Sequence, residues 1–219
     1  MSILCAPLYA NFGASAITFV DSISGNYEAG SSTVAVSLPS GLQEDDIVIV
    51  AYVQDALNQT VAVPSGWTSI YTADDAVPDM AVFYKIMGAT PDTTVLVYED
   101  VEDTGIYVAA AFRGVDTTTP LDTTPTNASN SVGMPDAPSI TTTTDNCCIV
   151  AVGGLDDDIL TSSGVSGYDG TEAIGGTDTH SAMMSWLLDA GSAGAQNPGA
   201  FGGAGTDAWH AVTIALRLG

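Results

Sequence analysis

Short runs rich in Val, Ile, Thr, Tyr and Phe, separated by Gly, Pro, Asp and Ser, recur along the whole chain. Such runs are typical of β-strands that are joined by tight turns. The run IVIVAYV at 47–53 is apolar on both faces, as expected of a central strand in a packed sheet. No run keeps the 3.6-residue spacing of an amphipathic helix. We therefore predict an all-β fold, with at most a short helical turn at 43–46 or 115–122.

About ten such strands with short connections predict an antiparallel two-sheet sandwich of jelly-roll type, although a closed barrel has the same sequence signature. The predicted strands lie near 15–21, 32–37, 47–53, 67–72, 80–87, 93–98, 105–113, 147–152, 179–189 and 207–217, with a further short one near 168–174. No internal repeat or change of composition divides the 219 residues, which suffice for one sizeable core. We expect a single sandwich domain over 15–219, preceded by an N-terminal arm at 1–14 that contacts another subunit. The unpatterned stretches 114–138 and 190–206 predict loops.

The charge of the chain is very one-sided. Lys85, Arg113 and Arg217 are the only Lys and Arg residues against 26 Asp and Glu, which gives a formal net charge of −23. Such a charge repels nucleic-acid phosphates and anionic lipid surfaces, so we expect neither as a partner. The first residues have no basic residue ahead of their apolar stretch, and no run reaches the ~18 apolar residues of a membrane helix. We therefore expect synthesis in the cytoplasm without a secretory signal.

Each of the three cations ends a β-type run, namely AVFYK, YVAAAFR and AVTIALR. A long side chain at a strand end can cover apolar surface while its charged group meets a carboxylate. We therefore predict that Lys85, Arg113 and Arg217 form structural ion pairs and do not bind a substrate.

The acidic residues form short clusters, of which Asp156, Asp157 and Asp158 follow two glycines. Calcium takes six to eight oxygen ligands, and neighbouring aspartates at a strand end can supply several of them. These three residues are our candidate calcium site, and a solvated turn is the alternative. His180 and His210 lie inside predicted strands, where we expect core or interface positions. We find no catalytic motif and predict no catalytic residues, so we expect a protein that is not an enzyme.

Five phrases follow one another in a distinctive order. They are PSGWTSIY at 64–71, AVFYKIMGA at 81–89, VAAAFRGVDTTTPLD at 108–122, APSITTTTDNCCIVAVGG at 137–154 and AWHAVTIALR at 208–217. Together they resemble a jelly-roll-like β-sandwich domain of bacteriophage virion surface proteins, of the capsid decoration or tail-fibre type. The resemblance implies a sandwich fold and a virion setting, and it supplies no catalytic residues.

Two functions are consistent with these observations. The first is a capsid decoration protein on the outer surface of a phage head, made in the host cytoplasm, which binds the major capsid protein and copies of itself as a homotrimer. Its contacts would be the arm 1–14 and the loop 114–138. The alternative is an adhesin module on a tail or cell surface that binds a glycan or receptor, with calcium as a candidate ligand. An adhesin predicts exposed aromatic residues, and Tyr71, Tyr168 and Trp186 are the candidates.

Overall fold

A computed structural model describes residues 16–27, 33–54, 61–73, 78–98, 104–157, 162–175 and 180–219. These ranges contain β-strands and turns and no helix, which confirms the all-β prediction. The strands are β1 (Thr18–Tyr27), β2 (Thr33–Ser37), β3 (Ile47–Gln54), β4 (Thr68–Ala73), β5 (Asp79–Ile86), β6 (Thr94–Tyr98), β7 (Gly105–Arg113), β8 (Thr126–Asn130), β9 (Asp136–Ala137), β10 (Ile140–Thr141), β11 (Cys148–Leu155), β12 (Gly164–Val165), β13 (Gly170–Gly175), β14 (Ser181–Leu187), β15 (Ala195–Gln196), β16 (Gly199–Gly202) and β17 (Trp209–Leu216). Within the described ranges, no helix could cross a membrane.

Two antiparallel five-stranded sheets form the centre of the molecule. The first has the strand order β1-β7-β3-β5-β4, and the second has the order β13-β14-β11-β17-β8. They pack face to face, with β3 across β11 and β14 and β7 across β13 and β14. One continuous core fills the space between them, and its buried side chains include Ile49, Val108 and Phe112 from the first sheet and Val150 and Met184 from the second. The predicted two-sheet sandwich is therefore confirmed.

The two sheets repeat one topology. When the five strands of each sheet are numbered in chain order, both sheets read 1-5-2-4-3. The register also agrees. In the first sheet Ile47, the first residue of β3, pairs with Phe112, which precedes Arg113. In the second sheet Cys148, the first residue of β11, pairs with Leu216, which precedes Arg217. The chain thus consists of two units with the same arrangement of strands, and our expectation that it has no internal repeat is wrong at the level of structure.

The turn that leads into the third strand is also shared by the two units. In the first unit, the amide of Trp67 donates to the carbonyl of Pro64 at 3.0 Å, and Gly66 has a φ of 82°. In the second, the amide of Tyr168 donates to the carbonyl of Val165 at 3.3 Å, and Gly167 has a φ of 83°. A positive φ favours glycine, which explains why the Ser-Gly pair recurs in both turns.

Each central sheet is also covered on its outer face. The ladder of β2 and β6 buries Val36 and Val97 against the outer face of the first sheet. The strands β9, β12 and β16 bury Ala137, Val165 and Phe201 against the outer face of the second. The molecule therefore has two outer layers around the sandwich, which explains why β3, β11 and β17 are buried at every position.

The two stretches predicted as loops contain short strands. In the stretch 114–138, β8 pairs with β17 and β9 pairs with β16, and Val115 and Leu121 form single bridges to the last residues of the chain. In the stretch 190–206, β15 pairs with β10 and β16 pairs with β9 and β12. The proposed helical turn at 115–122 is wrong, because this segment consists of two isolated bridges, at Val115 and Leu121, with bends between them. The pairing partners are distant in sequence, so no local alternation reveals these strands.

Candidate functional site

Arg113 forms a bidentate ion pair with a buried carboxylate. Its Nε and Nη2 atoms donate to the two carboxylate oxygens of Asp46, each at 2.8 Å. The side chain of Asp46 is fully buried, and Oδ2 also accepts from the amide of Gln43 at 2.7 Å. The hydrogen bond to Asp46 raises the pKa of Arg113. Because the pair joins the residue before β3 to the last residue of β7, it fixes the end of the first sheet.

Arg217 occupies the same position at the end of the second unit. Its Nη2 lies 3.3 Å from Oδ1 of Asp122, whose side chain is fully buried. Burial is the largest influence on the pKa of Asp122 and acts to raise it. Hydrogen bonds from the amide and hydroxyl of Thr143, from Thr144 and from Arg217 outweigh that effect, so the pKa of Asp122 is lowered. The ionised carboxylate of Asp122 is therefore stabilised by several hydrogen-bond donors, and Arg217 is one of them.

The two arginines lie at the same end of the molecule. The segments that follow β7 and β17 pair there, since Val115 bridges Leu218 and the amide of Gly219 donates to the carbonyl of Gly114 at 2.9 Å. A cleft of about 400 Å³ opens beside Arg113 at this end. It is lined by Glu44, Asp45, Arg113, Gly114, Val115, Asp116, Thr117 and Gly219.

Lys85 forms a more exposed pair. Its Nζ lies 2.5 Å from Oδ2 of Asp92, and the two side chains are 30% and 38% exposed. The pair lines a second groove, of about 270 Å³, together with Trp67 and Leu96. All three cations thus lie beside an aspartate, but only the two arginines face a buried one. That the three pairs serve structure alone stays a prediction.

The candidate calcium residues lie at the end of β11. Asp156 lies near His180, with Oδ1 of the aspartate 3.7 Å from Nε2 of the histidine. Oδ2 of Asp157 accepts from the amide of Thr206 at 3.3 Å. Asp158 lies outside the described residues. Among the described residues, no group of three or more His, Cys, Asp or Glu side chains could hold a metal ion, and calcium at 156–158 stays a prediction.

His210 is buried between the central sheets, with 9% of its surface exposed. Its Nδ1 lies 2.8 Å from the hydroxyl oxygen of Tyr71, which connects β17 to the edge strand β4. Burial lowers the pKa of His210. The folded protein therefore favours the neutral imidazole.

We expect this histidine to make the protein less stable in mild acid. As the pH falls below the ordinary histidine pKa of about 6.5, the unfolded chain takes up a proton that folded His210 does not. The free energy of unfolding then decreases until the pH reaches the lower pKa of the folded state. Urea unfolding at pH 7.5 and 5.0 should show a larger decrease for the native chain than for His210→Gln. Equal decreases in the free energy of unfolding would contradict the assignment of this acid sensitivity to His210, because the other titrating groups are common to both proteins.

The aromatic residues that an adhesin would expose are largely covered. Trp186 is only 5% exposed and stacks on Phe19 with a centroid distance of 4.5 Å, so its prediction as an exposed binding residue is wrong. Tyr71 and Tyr168 are partly buried, and burial raises the pKa of Tyr168. Trp67 is the partly exposed tryptophan, and it packs against the buried cluster on the outer face of the first sheet.

Several structural residues have no distinctive signal in the sequence. Asp46 is the last of three consecutive acidic residues and Asp122 lies in a threonine-rich segment, and nothing local marks either as buried. Glu172 on β13 joins the edges of the two sheets, because its carboxylate accepts from the hydroxyls of Ser22 and Ser24 on β1, each at 2.7 Å. The partners are about 150 residues apart, so only the packing of the sheets reveals the contact.

Comparisons with known proteins assign no family. No protein-family model matches the sequence, and a search of curated proteins finds no match. Among solved structures, the chain is similar to the STIV MCP, with 6% identity, a TM-score of 0.24 and coverage of 93% of this chain and 96% of that chain. A TM-score of this size carries no argument about fold or function. The resemblance to phage surface proteins therefore stays an interpretation of the five phrases.

Proposed function

We propose that this chain is a non-enzymatic structural protein of a virion, and specifically a decoration protein on the outer surface of a phage head. The observation that carries the proposal is the position of the five phrases in the fold. They supply the turn into β4, the strands β5, β7, β11 and β17, and both arginine-bearing ends of the central sheets. The resemblance thus involves the framework of both units and not an isolated segment.

The charge distribution supports an outward-facing role. Each of the three Lys and Arg side chains lies beside an aspartate, so none is left uncompensated to hold a polyanion. The remaining acidic residues keep the formal net charge at −23. Such a surface repels nucleic acid and other copies of itself outside specific contacts, which suits the exterior of a particle.

The proposed partners are the major capsid protein and further copies of this chain in a homotrimer. The arm 1–14, one proposed contact, lies outside the described residues. The other is the segment 114–138, where Val132 is 61% exposed while its carbonyl accepts from Nε1 of Trp209 at 3.1 Å. Val132 is one of three exposed large apolar side chains among the described residues, which makes it the first position in this segment to test for a subunit contact.

The test is the number of copies in purified virions. Quantitative mass spectrometry should give this chain a copy number of the same order as the major capsid protein, and light scattering of the isolated protein should give three times the mass of one chain. A copy number matching the tail proteins would instead support the alternative, a tail adhesin. Absence from particles would contradict both virion roles.

A further inference from the structure

The groove beside Lys85 combines features that a binding site for a small polar ligand requires. It lies between the turn that precedes β4 and the outer strand β6, and it occupies about 270 Å³. Its lining includes Ser65, Trp67, Lys85, Asp92, Thr94 and Leu96. It thus offers an aromatic ring, a charged donor, a charged acceptor and two hydroxyls within one small volume.

The positions of the two recognition groups are held by the fold. The indole of Trp67 packs edge-on to Phe83, with a centroid distance of 5.4 Å and an interplanar angle of 88°. The Nζ of Lys85 and the carboxylate of Asp92 hold each other at 2.5 Å but remain 30% and 38% exposed. Donor and acceptor therefore lie side by side at the groove with their charges balanced. Leu96, which is 46% exposed, adds an apolar wall.

The second unit of the molecule serves as an internal comparison. Tyr168 takes the place of Trp67 in the equivalent turn, and it packs against two hydrophobic clusters on the outer face of its sheet. Leu187 corresponds to Lys85. Leu187 pairs with Ile149, the second residue of β11, and Lys85 pairs with Val48, the second residue of β3. The second unit thus fills this position with apolar contacts, whereas the first unit keeps it open and polar. The groove is therefore not a requirement of the shared topology.

We propose that this groove binds the ring of a neutral sugar as part of a glycan. The ring would place its C–H face on the indole of Trp67, while its hydroxyls accept from Lys85 and donate to Asp92. The proposal thus gives the Lys85 pair a binding role, in place of the purely structural role that the sequence predicts for it. Anionic ligands are disfavoured because the chain carries a net charge of −23 and the charge of Lys85 is balanced by Asp92. The inference does not depend on the decoration role, because a protein at either virion position could present this groove.

Tryptophan fluorescence provides a direct test. The chain has three tryptophans, and Trp186 and Trp209 are only 5% and 6% exposed, so Trp67 is the one that a ligand in the groove would contact. Titration with glucose, galactose and mannose, and a glycan array for larger ligands, should identify a neutral sugar that gives a saturable change. We expect a dissociation constant on the order of 1–10 mM for a single ring in so small a site. Sorbitol, which has hydroxyls but no ring, is the control and should give no saturable change.

Matched variants locate the site. Lys85→Met should weaken binding about tenfold or more through loss of a charge-assisted hydrogen bond, with little change in melting temperature because the ion pair is exposed. Trp67→Phe should remove the fluorescence response. The absence of saturable binding to any neutral sugar would overturn the proposal, as would full retention of the response in Trp67→Phe. Virion copy number is measured independently, so failure of this proposal and failure of the decoration role are distinguishable.

Discussion

Replacement of Arg113 by methionine is expected to lower the free energy of unfolding by about 3 kcal/mol, the cost of leaving a buried carboxylate without its cation. The side chain of Asp46 is fully buried and would lose two hydrogen bonds of 2.8 Å. The amide of Gln43 would remain as a donor to it. Arg113 itself is 41% exposed, so water can enter after the substitution, which keeps the cost near the lower end of the range for buried pairs. Urea unfolding with linear extrapolation measures the effect.

Two further variants separate the ion pair from the packing of the arginine. Lys85→Met removes the more exposed cation and should cost at most about 1 kcal/mol. The double variant Arg113→Met with Asp46→Asn should be more stable than Arg113→Met alone, because the amide oxygen can still accept from Gln43 and no buried charge remains. If Arg113→Met left stability unchanged and abolished trimer formation, Arg113 would belong to a subunit interface and the structural assignment would be wrong.

The central strands are the part of the fold that the sequence predicts best. The run at 105–113 coincides with β7, and the run IVIVAYV lies within β3. These strands are covered on both faces, so nearly every position must be apolar and the run stands out against its polar flanks. Where burial alone determines the residue type, a single sequence is enough to place a strand.

The outer strands and the pairing of distant elements could not be predicted in this way. The sequence of β8, TNASN, is polar because its side chains are exposed or partly exposed, and it becomes a strand only by pairing with β17. The repeated topology is hidden for a related reason. Equivalent positions need the same backbone conformation but not the same side chain. For example, Asp46, which precedes β3, corresponds to Cys147, which precedes β11, and both side chains are buried.

The solvent exposure of individual residues could also not be predicted from the sequence. Trp67 follows a Ser-Gly turn and Trp186 lies within a strand-like run, and neither pattern shows how much of the indole the packing will cover. The structure leaves Trp67 partly exposed at the edge of the outer layer and buries Trp186 between the central sheets. The candidate site therefore depends on how layers stack, which is a property of long-range packing.

Replacement of Trp186 by alanine is expected to have the largest effect, a loss of about 3–5 kcal/mol in the free energy of unfolding, as for other buried tryptophans. Its indole stacks on Phe19 at 4.5 Å with an interplanar angle of 12°, and it meets Phe112 at 6.0 Å and 75°. Phe112 lies in the first sheet and Trp186 in the second, so the indole connects the two units across the core. Its removal would leave a cavity at that junction. Chemical unfolding measures the loss.

The neighbouring phenylalanine provides the matched control. Phe19 is 36% exposed, so Phe19→Ala should cost only about 1 kcal/mol, the order expected for one aromatic pair. Trp186→Phe should retain most of the stability because a ring still fills the junction. The buried position also predicts that Trp186→Phe leaves any glycan binding unchanged, whereas Trp67→Phe alters it. Near-native stability of Trp186→Ala together with loss of ligand binding would contradict this account and restore Trp186 as a surface recognition residue. Variants of Trp186 thus test the core that joins the two units, and variants of Trp67 test the groove that only the first unit has.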